Sequence, residues 1–391
     1  MSRPEPQRVS GLALSERSLA PDLARGFMLL VISVVHAVLF RTMATGEQLP
    51  YTLQSTADSV SVFVVTVLAE SRGYPMFALL FGYGLAWIHL RRTEEGHTWP
   101  WVRSLVRRRG RWMILIGFLH TLLLFSGDII AVYGLIAVAM AGLLHVGDRR
   151  LLAHGFGWLA VGSLVYTVLT AGSAMAAETE EAMPIAGDPL TDMAVRGVGW
   201  PIMLVMVPVS VLPFTVGIWA ARRRLLEEPG RHRYLLTRVA GYGIPTAVLG
   251  GIPYALYVTE LWQPAAPVVL GAAWLHLVTG YLGGFEYAAL IALVALRIGQ
   301  RRGPVVTALV ATGQRSMTCY VLQSLAWLVL FMPYTLDLAR MSDTAAVLTG
   351  AGVWLATVVL ADLMRRAGMR GPLESLLRNR TYAGVRRTEP V

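Results

Sequence analysis

Long apolar runs recur along the whole chain and are separated by short polar connections. Their lengths approach the roughly 20 residues that an α-helix needs to cross the hydrocarbon core of a bilayer. The runs lie near residues 24–40, 74–90, 112–126, 129–145, 151–171, 201–221, 239–258, 276–296, 315–331 and 344–363. This pattern predicts an all-α fold, a polytopic integral membrane helix bundle of about ten transmembrane helices.

Two further stretches are apolar but do not fit this count. Residues 55–70 contain Asp58 and Glu70, and counting them as a full span would move the basic connection 91–111 to the outer side. We therefore predict an amphipathic or re-entrant helix on the outer side at 55–70. Residues 264–275 raise the same problem and receive the same prediction.

The arginines orient the predicted spans. Short connections rich in arginine stay on the cytoplasmic side of a membrane, and the connection 172–200 is acidic instead. The basic segments are 91–111, 146–150, 222–238, 297–303 and the tail after Asp362. The pattern predicts that both termini are cytoplasmic, with a tail at 1–21, a transmembrane domain at 22–366 and an amphipathic tail at 367–391 that lies on anionic lipid.

Composition supports the membrane class and excludes several others. Of 391 residues, 55% are hydrophobic and only 15% are charged, whereas soluble domains carry about 25% charged residues. The net charge of +10 comes from arginines between apolar runs, so we expect contacts with membrane lipids and not with nucleic acid. The 34 basic residues are all arginine, which excludes a P-loop lysine and a Schiff-base lysine.

Metal and disulfide chemistry receive no support from the sequence. The single cysteine, Cys319, excludes an intrachain disulfide. No pair of histidines has metal-ligand spacing together with an acidic third ligand. We therefore predict no metal site.

The strongest candidate for chemistry is His120, in the run RRRGRWMILIGFLHTLLLFSGD of residues 107–128. An ionisable group in the centre of a bilayer costs roughly 2.5–3.5 kcal/mol on insertion scales, so such a residue is a functional candidate by default. Asp128 follows eight residues later, close to a shared helical face, with Gly127 as a potential break between them. An imidazole oriented by a carboxylate works as a general base or as an acyl acceptor. The alternative is that His120 bonds a neighbouring backbone carbonyl and that Asp128 caps the helix starting at Ile129.

Other polar groups near or inside the spans are weaker candidates. Asp22 and Arg25 are three residues apart at the cytoplasmic end of the first span and could form an ion pair. Arg25 could equally hold a phosphate or carboxylate of a cytosolic cofactor. His36 lies about 16 Å further along that helix, at a rise of about 1.5 Å per residue, and is either a packing residue or part of a site.

Three more candidates lie in later spans. Arg72 falls on the predicted outer side, where it could bind an anionic group or pair with Glu70. Gln323 ends a polar string on the ninth span, and such side chains either line a cavity or bond between helices. Glu286 is a membrane carboxylate with no adjacent basic residue.

Several motifs, taken in order, resemble the YeiB-like family of bacterial membrane proteins of unknown function. They are DLARGF, YPMFALLFGYG, GFLH followed by GD, GQRSMTCYVLQS and GPLESLLR, and they extend from about residue 20 to 382. That family is similar in its amino-terminal half to transmembrane acyltransferases, including the lysosomal enzyme that acetylates heparan glucosamine. GFLH matches the position of the histidine that those enzymes use.

The resemblance implies a multi-pass protein of the bacterial plasma (inner) membrane and a membrane-bound acyltransferase. Acyl-CoA or acetyl-CoA would enter from the cytoplasm, and a sugar, lipid, glycan or small metabolite would accept the acyl group on the outer side or in the membrane. Under this hypothesis His120 and Asp128 are catalytic and His36, Arg72 and Gln323 hold the acceptor. The cofactor-binding arginines are Arg25, Arg107, Arg108 and Arg111.

Two alternatives remain open at this point. A proton-coupled transporter or flippase would use His120, Asp128 and Glu286 as a proton relay. A membrane scaffold would use the buried polar groups only to specify helix packing. The sequence also leaves the oligomeric state open, including a homo-oligomer.

Overall fold

The structure is a computed structural model that describes residues 18–46, 51, 53–178, 187–299 and 301–383. All regular secondary structure in these ranges is helical, which confirms the predicted all-α class. The α-helices are α1 (Leu19–Thr45), α2 (Thr56–Leu68), α3 (Gly73–Glu94), α4 (Trp99–Leu123), α5 (Ile130–Ala139), α6 (Asp148–Glu178), α7 (Pro189–Met203), α8 (Met206–Arg222), α9 (Arg233–Val258), α10 (Ala266–Ile298), α11 (Pro304–Gln314), α12 (Ser316–Phe331), α13 (Asp343–Arg366) and α14 (Pro372–Tyr382). Most of the predicted tail 1–21, and Glu180 and Glu181 of the acidic connection, lie outside the described residues.

Six helical segments in the described ranges are long and apolar enough to cross a membrane. They are Leu19–Thr45, Thr56–Glu94, Asp148–Val168, Arg233–Val258, Ala266–Ile298 and Asp343–Arg366. The helices α7 and α8 meet at a bend of 59° and would add a seventh if they form one broken span. The protein is therefore a multi-pass membrane protein, while the count of ten spans stays a prediction that depends on α4, α5 and α12.

The helix predicted at residues 55–70 is present as α2. Helix α2 is followed by α3 after only four residues, and the two together form a single candidate span, Thr56–Glu94. Ser55 caps α2 by accepting a hydrogen bond from the Asp58 backbone N–H at 3.2 Å. At the break, Ser71 adopts a positive φ of 58°, a conformation uncommon outside glycine. Residues 55–70 thus belong to a candidate span together with α3, and the amphipathic or re-entrant helix on the outer side stays a prediction.

The prediction of a separate helix at 264–275 is wrong, because these residues are continuous with the predicted span that follows. Helix α10 runs without a break from Ala266 to Ile298, with Pro267 in its first turn. A continuous helix of 33 residues is about 50 Å long, more than a bilayer core requires. The extra length accommodates both 264–275 and the predicted span 276–296.

Helices α4 and α5 form a tight antiparallel hairpin. A Cβ atom at Gly110 would lie 2.7 Å from the Gly134 carbonyl oxygen, so the two backbones approach more closely than any side chain allows. The turn of this hairpin contains residues 124–129. The hairpin fixes where His120, in the last turn of α4, meets Asp128, just before α5.

The carboxyl-terminal helix α14 packs on the protein, and its predicted contact with lipid stays a prediction. Gly371 and Pro372 start it, and Glu374 accepts hydrogen bonds from the backbone N–H groups of Met317 at 2.7 Å and Thr318 at 3.1 Å. These N–H groups lie in the first turn of α12, where a carboxylate is favoured by the helix dipole. Leu377 is buried against the protein. The tail helix is therefore a structural element of the bundle.

Candidate functional site

His120 and Asp128 are in direct contact and buried. The distance between His120 Nδ1 and Asp128 Oδ1 is 2.9 Å, and their side chains are each only 1% exposed. The prediction of a contact is confirmed, but its reason was incomplete. The residues belong to two antiparallel helices joined by a turn, and not to one face of a continuous helix.

Asp128 performs the capping role as well. Its Oδ2 accepts a hydrogen bond from the backbone N–H of Ala131 at 2.6 Å, which satisfies a donor in the first turn of α5. Gly117 leaves space for this carboxylate, because a Cβ there would stand 2.3 Å from Asp128 Oδ2. The Ala131 N–H and the close approach of Gly117 thus fix the position of the carboxylate that orients His120.

The geometry defines which nitrogen of His120 is available. An ionised carboxylate can only accept hydrogen bonds, so we assign the proton of the neutral imidazole to Nδ1. The other nitrogen, Nε2, is then an acceptor, and it is buried with no hydrogen-bond partner among the described residues. A buried polar atom without a partner carries a free-energy cost, which a substrate proton would remove.

Two aromatic rings contact this imidazole, and a second histidine lies beyond them. The ring centroid of Tyr320 lies 5.1 Å from that of His120, and Phe125 lies 6.3 Å away. His36 belongs to the same cluster, 4.7 Å from Phe125 and 5.9 Å from Tyr320. Nδ1 of His36 is also buried without a partner in the described part of the chain. The structure therefore places His36 close to the predicted catalytic pair.

Gln323 continues this polar region along α12. It lies one helical turn beyond Tyr320, is fully buried, and donates from Nε2 to the Thr357 hydroxyl at 3.3 Å. Its Oε1, and the indole nitrogen of Trp327 one turn further, are buried polar atoms with no partner in the described ranges. Unpaired polar atoms on successive turns are typical of a helix face that lines a polar site.

A cavity of about 1120 Å³ opens at the end of the bundle that contains the arginine-rich connections. Its inner wall is mostly apolar or aromatic and includes Phe81, Ile129, Tyr133 and Tyr320. His120 does not line the cavity itself. Tyr320 does, and so does Ile129, the neighbour of Asp128 in sequence. The cavity therefore ends one side chain away from the His120–Asp128 pair.

The lining of the cavity is strongly basic, and all of its arginines except Arg92 and Arg315 are exposed or half-buried at the mouth. Nine arginines and four carboxylates are among its lining residues, and the arginines are Arg25, Arg91, Arg92, Arg109, Arg224, Arg302, Arg315, Arg370 and Arg378. Arg25 pairs with Asp22 at 3.0 Å, as the sequence predicted, and also donates to the Leu80 carbonyl at 3.3 Å. Arg302, Arg370 and Arg378 have no carboxylate partner among the described residues. Such a mouth suits a ligand that carries phosphate groups.

Glu227 lies at this mouth, in the connection between α8 and α9. Burial raises the pKa of its carboxyl group to about 7, although the nearby Arg25 opposes the shift. Near neutral pH this side chain therefore changes between a neutral and a negative form. The positive charge of the mouth changes with it.

The predicted arginine cluster is divided by the structure. Arg25 lines the cavity, but Arg107, Arg108 and Arg111 do not. Arg107 and Arg111 line a separate groove on the other side of α4, and Arg107 donates to the Val138 carbonyl at 3.1 Å. Consecutive helical residues are about 100° apart, so Arg109 faces the cavity while Arg107 faces away from it. Sequence reasoning missed Arg109, since spacing alone does not show which side of a helix the cavity occupies.

Arg72 is not part of the His120 site. It is 1% exposed at the break between α2 and α3 and donates to the carbonyl oxygens of Thr66, Glu70 and Ala247 at 2.6 to 3.2 Å. Its Nη1 also lies 3.3 Å from His276 Nδ1. Arg72 therefore holds a broken helix against α9 and α10, and the predicted pairing with Glu70 is made through the backbone oxygen of that residue.

Glu286 belongs to this second cluster. A Cβ at Gly243 of α9 would stand 2.1 Å from its Oε1, so α9 and α10 meet closely at this carboxylate. No contact in the described ranges joins Glu286 to His120 or Asp128. The proton relay of the transporter hypothesis, through His120, Asp128 and Glu286, is therefore not one continuous cluster.

The end of α4 beyond His120 is held by a residue that the sequence analysis did not select. Arg196 of α7 donates to the carbonyl oxygens of Leu122, Leu123 and Leu124 at 3.3 to 3.4 Å and pairs with Asp192 at 2.8 Å. A cation at the last turn of a helix is favoured by the helix dipole. The guanidinium thereby anchors the hairpin turn that carries the His120–Asp128 contact.

Comparisons with known proteins identify relatives without a described activity. Over 94% of its length, the chain is 23% identical to the uncharacterised protein YxaH of Bacillus subtilis (strain 168), covering 95% of that protein. It is also 27% identical to the uncharacterised protein YeiB of Escherichia coli (strain K12) over 125 residues, which are 32% of this chain and 30% of YeiB. Residues 220–384 match the model of a family described as protein of unknown function (DUF418). The chain is thus a multi-pass membrane protein with a DUF418 segment and with distant bacterial homologues, YxaH and YeiB.

Proposed function

We propose that this protein is a membrane-bound acyltransferase that moves an acyl group from acyl-CoA or acetyl-CoA to an acceptor in the membrane or beyond it. One observation carries the proposal: a cavity that is basic at its mouth and apolar at its inner end stops beside the His120–Asp128 pair. The donor has matching properties, because coenzyme A carries phosphates at one end and the acyl thioester at the other. The ten-span topology with cytoplasmic termini belongs to the same proposal.

The mouth would hold the phosphates of the donor. Arg302, Arg370 and Arg378 offer planar guanidinium groups, which bind phosphate in a bidentate manner. Of the arginines proposed from the sequence, Arg25 keeps this role, and Arg109 takes the place of Arg107, Arg108 and Arg111. The apolar wall from Phe81 to Tyr320 then accommodates the pantetheine arm and the acyl chain.

His120 supplies the general base. Its Nε2 takes the proton from an acceptor O–H or N–H as the acceptor heteroatom bonds to the thioester carbonyl carbon. The C–S bond breaks, and the imidazolium returns the proton to the sulfur, which leaves as a free thiol. Asp128 keeps Nδ1 protonated and stabilises the transient positive charge of the imidazolium. Alternatively, Nε2 itself accepts the acyl group and passes it on.

Tyr320 separates this base from the donor cavity. It lines the cavity and lies 5.1 Å from the His120 ring, so the thioester reaches Nε2 only when the tyrosine ring rotates aside. The acceptor would approach from the opposite direction, past His36 and Gln323, where buried polar atoms lack partners among the described residues. Arg72 has no part in this scheme, because its guanidinium is bound to backbone carbonyls.

The decisive test is transfer or exchange of radiolabelled acetyl groups by the purified protein in detergent or nanodiscs. His120→Ala should lower the rate by roughly 10²- to 10⁴-fold, the usual contribution of a positioned general base. His154→Ala is the matched control, since His154 is exposed on α6 and bonds only the Arg150 carbonyl among described residues. Wild-type protein that neither hydrolyses, exchanges nor binds acetyl-CoA would exclude the proposal.

A second candidate function is proton-coupled transport. One feature favours it: the break between α2 and α3 places Arg72, His276 and Glu286 together inside the bundle, and discontinuous helices commonly form the ion or substrate sites of transporters. Substrate uptake by proteoliposomes that responds to an imposed proton gradient, and that is lost in Glu286→Gln but kept in His120→Ala, would select this function. The opposite pattern would select acyl transfer.

A further inference from the structure

A groove on the outside of α4 is a second basic site that the proposed function does not use. It has a volume of about 680 Å³, and its lining residues are Trp99, Pro100, Arg103, Ser104, Arg107, Arg111 and Val138. It shares no residue with the large cavity. Its ligand chemistry must therefore be argued separately.

Three guanidinium groups in this groove lack a carboxylate partner. Arg103, Arg107 and Arg111 are spaced four residues apart, so their side chains are neighbours on the helix surface and repel one another. None of them has an ion pair within the ranges that the structure describes. An anion bound between them would relieve this repulsion.

The same spacing continues along α4 with apolar side chains. Leu115, Leu119 and Leu123 are 44%, 44% and 53% exposed, so this part of the helix presents leucine to its surroundings. The change from exposed arginine to exposed leucine occurs between Arg111 and Leu115, over a single helical turn. In a membrane protein this change marks the level at which the headgroup layer meets the hydrocarbon core.

We propose that this groove binds the headgroup of an anionic phospholipid, whose acyl chains lie along the exposed leucines of α4. The arginines provide charge complementarity to the phosphate, and the leucines below them provide an apolar surface for the chains. A soluble phosphate compound would use only the upper half of this arrangement. The inference is independent of acyl transfer, because no groove residue lines the donor cavity.

The test compares phospholipid binding by native mass spectrometry of the purified full-length protein, with phosphatidylglycerol and phosphatidylcholine as probes. Wild-type protein should bind phosphatidylglycerol in preference to phosphatidylcholine. The triple variant Arg103→Gln, Arg107→Gln, Arg111→Gln should bind phosphatidylglycerol about 100-fold more weakly, given the usual contribution of each basic residue near an anionic surface. Phosphatidylcholine binding should stay unchanged.

The matched control removes the same charge elsewhere. Arg150, Arg233 and Arg238 are exposed on α6 and α9 and line neither the cavity nor the groove. If their replacement by glutamine weakens phosphatidylglycerol binding equally, general charge attraction explains the effect and the proposal is wrong. If inorganic phosphate competes with phosphatidylglycerol at equal concentration, the groove is a site for soluble phosphate and the proposal is also wrong. Should the triple variant fail to fold, Arg103→Gln and Arg111→Gln singly, at exposed positions, give the same two outcomes.

Discussion

Two buried clusters of ionisable groups in the described part of the chain differ in their surroundings. At the break between α2 and α3, the Arg72 guanidinium donates to three backbone carbonyls and lies 3.3 Å from His276. At the tip of the α4–α5 hairpin, His120 bonds Asp128 through one nitrogen and leaves the other without a partner among the described residues. A large cavity ends beside the second cluster.

The Arg72 guanidinium stabilises the backbone that surrounds it, because it donates to three carbonyl oxygens. The same cluster also contains buried atoms without a partner among the described residues, Nε2 of His276 and Oε1 of Glu286. A buried imidazole with a free acceptor and a fixed donor is prepared to take a proton. Unpaired atoms therefore occur in both clusters, and the neighbouring cavity distinguishes the His120 cluster.

The largest expected effect concerns the structural cluster. Arg72→Ala would leave the carbonyls of Thr66, Glu70 and Ala247 without their donor, at roughly 1–3 kcal/mol for each buried acceptor. We expect a loss of several kcal/mol in the free energy of unfolding, seen as a much lower thermal transition of the detergent-solubilised protein. Arg238→Ala, at an exposed position on α9, should change the transition little.

The opposite result would break the comparison. If Arg72→Ala keeps the wild-type transition temperature but loses activity or acceptor binding, Arg72 holds substrate, which is the role that its position in the sequence favours. The difference between the two clusters would then carry no functional meaning. Hydrogen exchange at the α2–α3 break would locate the change in either case.

A smaller effect is expected at the hairpin. A Cβ at Gly117 would stand 2.3 Å from both Asp128 Oδ2 and the Ala131 nitrogen, so Gly117→Ala pushes the carboxylate away from His120. Overpacking of this kind costs roughly 1–3 kcal/mol of stability. The rate of acyl transfer should fall by a factor at least ten times larger than the factor by which the folded fraction falls.

The control for this variant lies in an open position. A Cβ added at Gly241 of α9 would meet no other atom within 4 Å, so Gly241→Ala should leave activity unchanged and stabilise the helix slightly. Equal activity of Gly117→Ala and wild-type protein would show that the His120–Asp128 distance does not limit the reaction. Asp128 would then be a helix cap alone.

The sequence was sufficient for some of these features and insufficient for others. Helices such as α1, α9 and α13 were predictable because each is one apolar run between polar connections. The contact of His120 with Asp128 was predictable, but the hairpin that produces it was not. A carboxylate eight residues away can reach an imidazole either along a helix or across a turn. The role of Arg72 was not, because its partners Ala247 and His276 are about 175 and 204 residues away in the chain.

The large cavity could not be predicted for a related reason. Its arginines come from α1, α3, α4 and α14 and from the connections α8–α9, α10–α11, α11–α12 and α13–α14, and only the packing of these elements brings them together. The sequence favoured the consecutive cluster Arg107, Arg108 and Arg111, although a helix directs consecutive residues to different sides. Local density of charge therefore indicated a helix that borders the cavity but not the face of that helix that lines it.

The smallest predicted effect tests whether the cavity beside His120 holds phosphate. Burial raises the pKa of Glu227 to about 7, so this carboxyl group is mainly neutral at pH 6 and mainly ionised at pH 8. An ionised Glu227 partly cancels the charge of Arg25 and should weaken binding of coenzyme A by roughly fivefold, equivalent to about 1 kcal/mol. Glu227→Gln cannot ionise and should bind coenzyme A equally well or better at pH 8.

The phosphates of coenzyme A titrate in the same range, but they do so identically for both proteins. The ratio of the two dissociation constants, wild type over Glu227→Gln, therefore isolates the carboxyl group, and it should rise from pH 6 to pH 8. The same sign holds for folding: a carboxyl whose pKa is raised in the folded state makes the wild type less stable as pH increases from about 4.5 to 7, and the variant should lack this decline. A constant ratio accompanied by the expected change in stability would place the bound phosphates away from Glu227. The cavity would then be no better a candidate for the coenzyme A site than the cluster around Arg72.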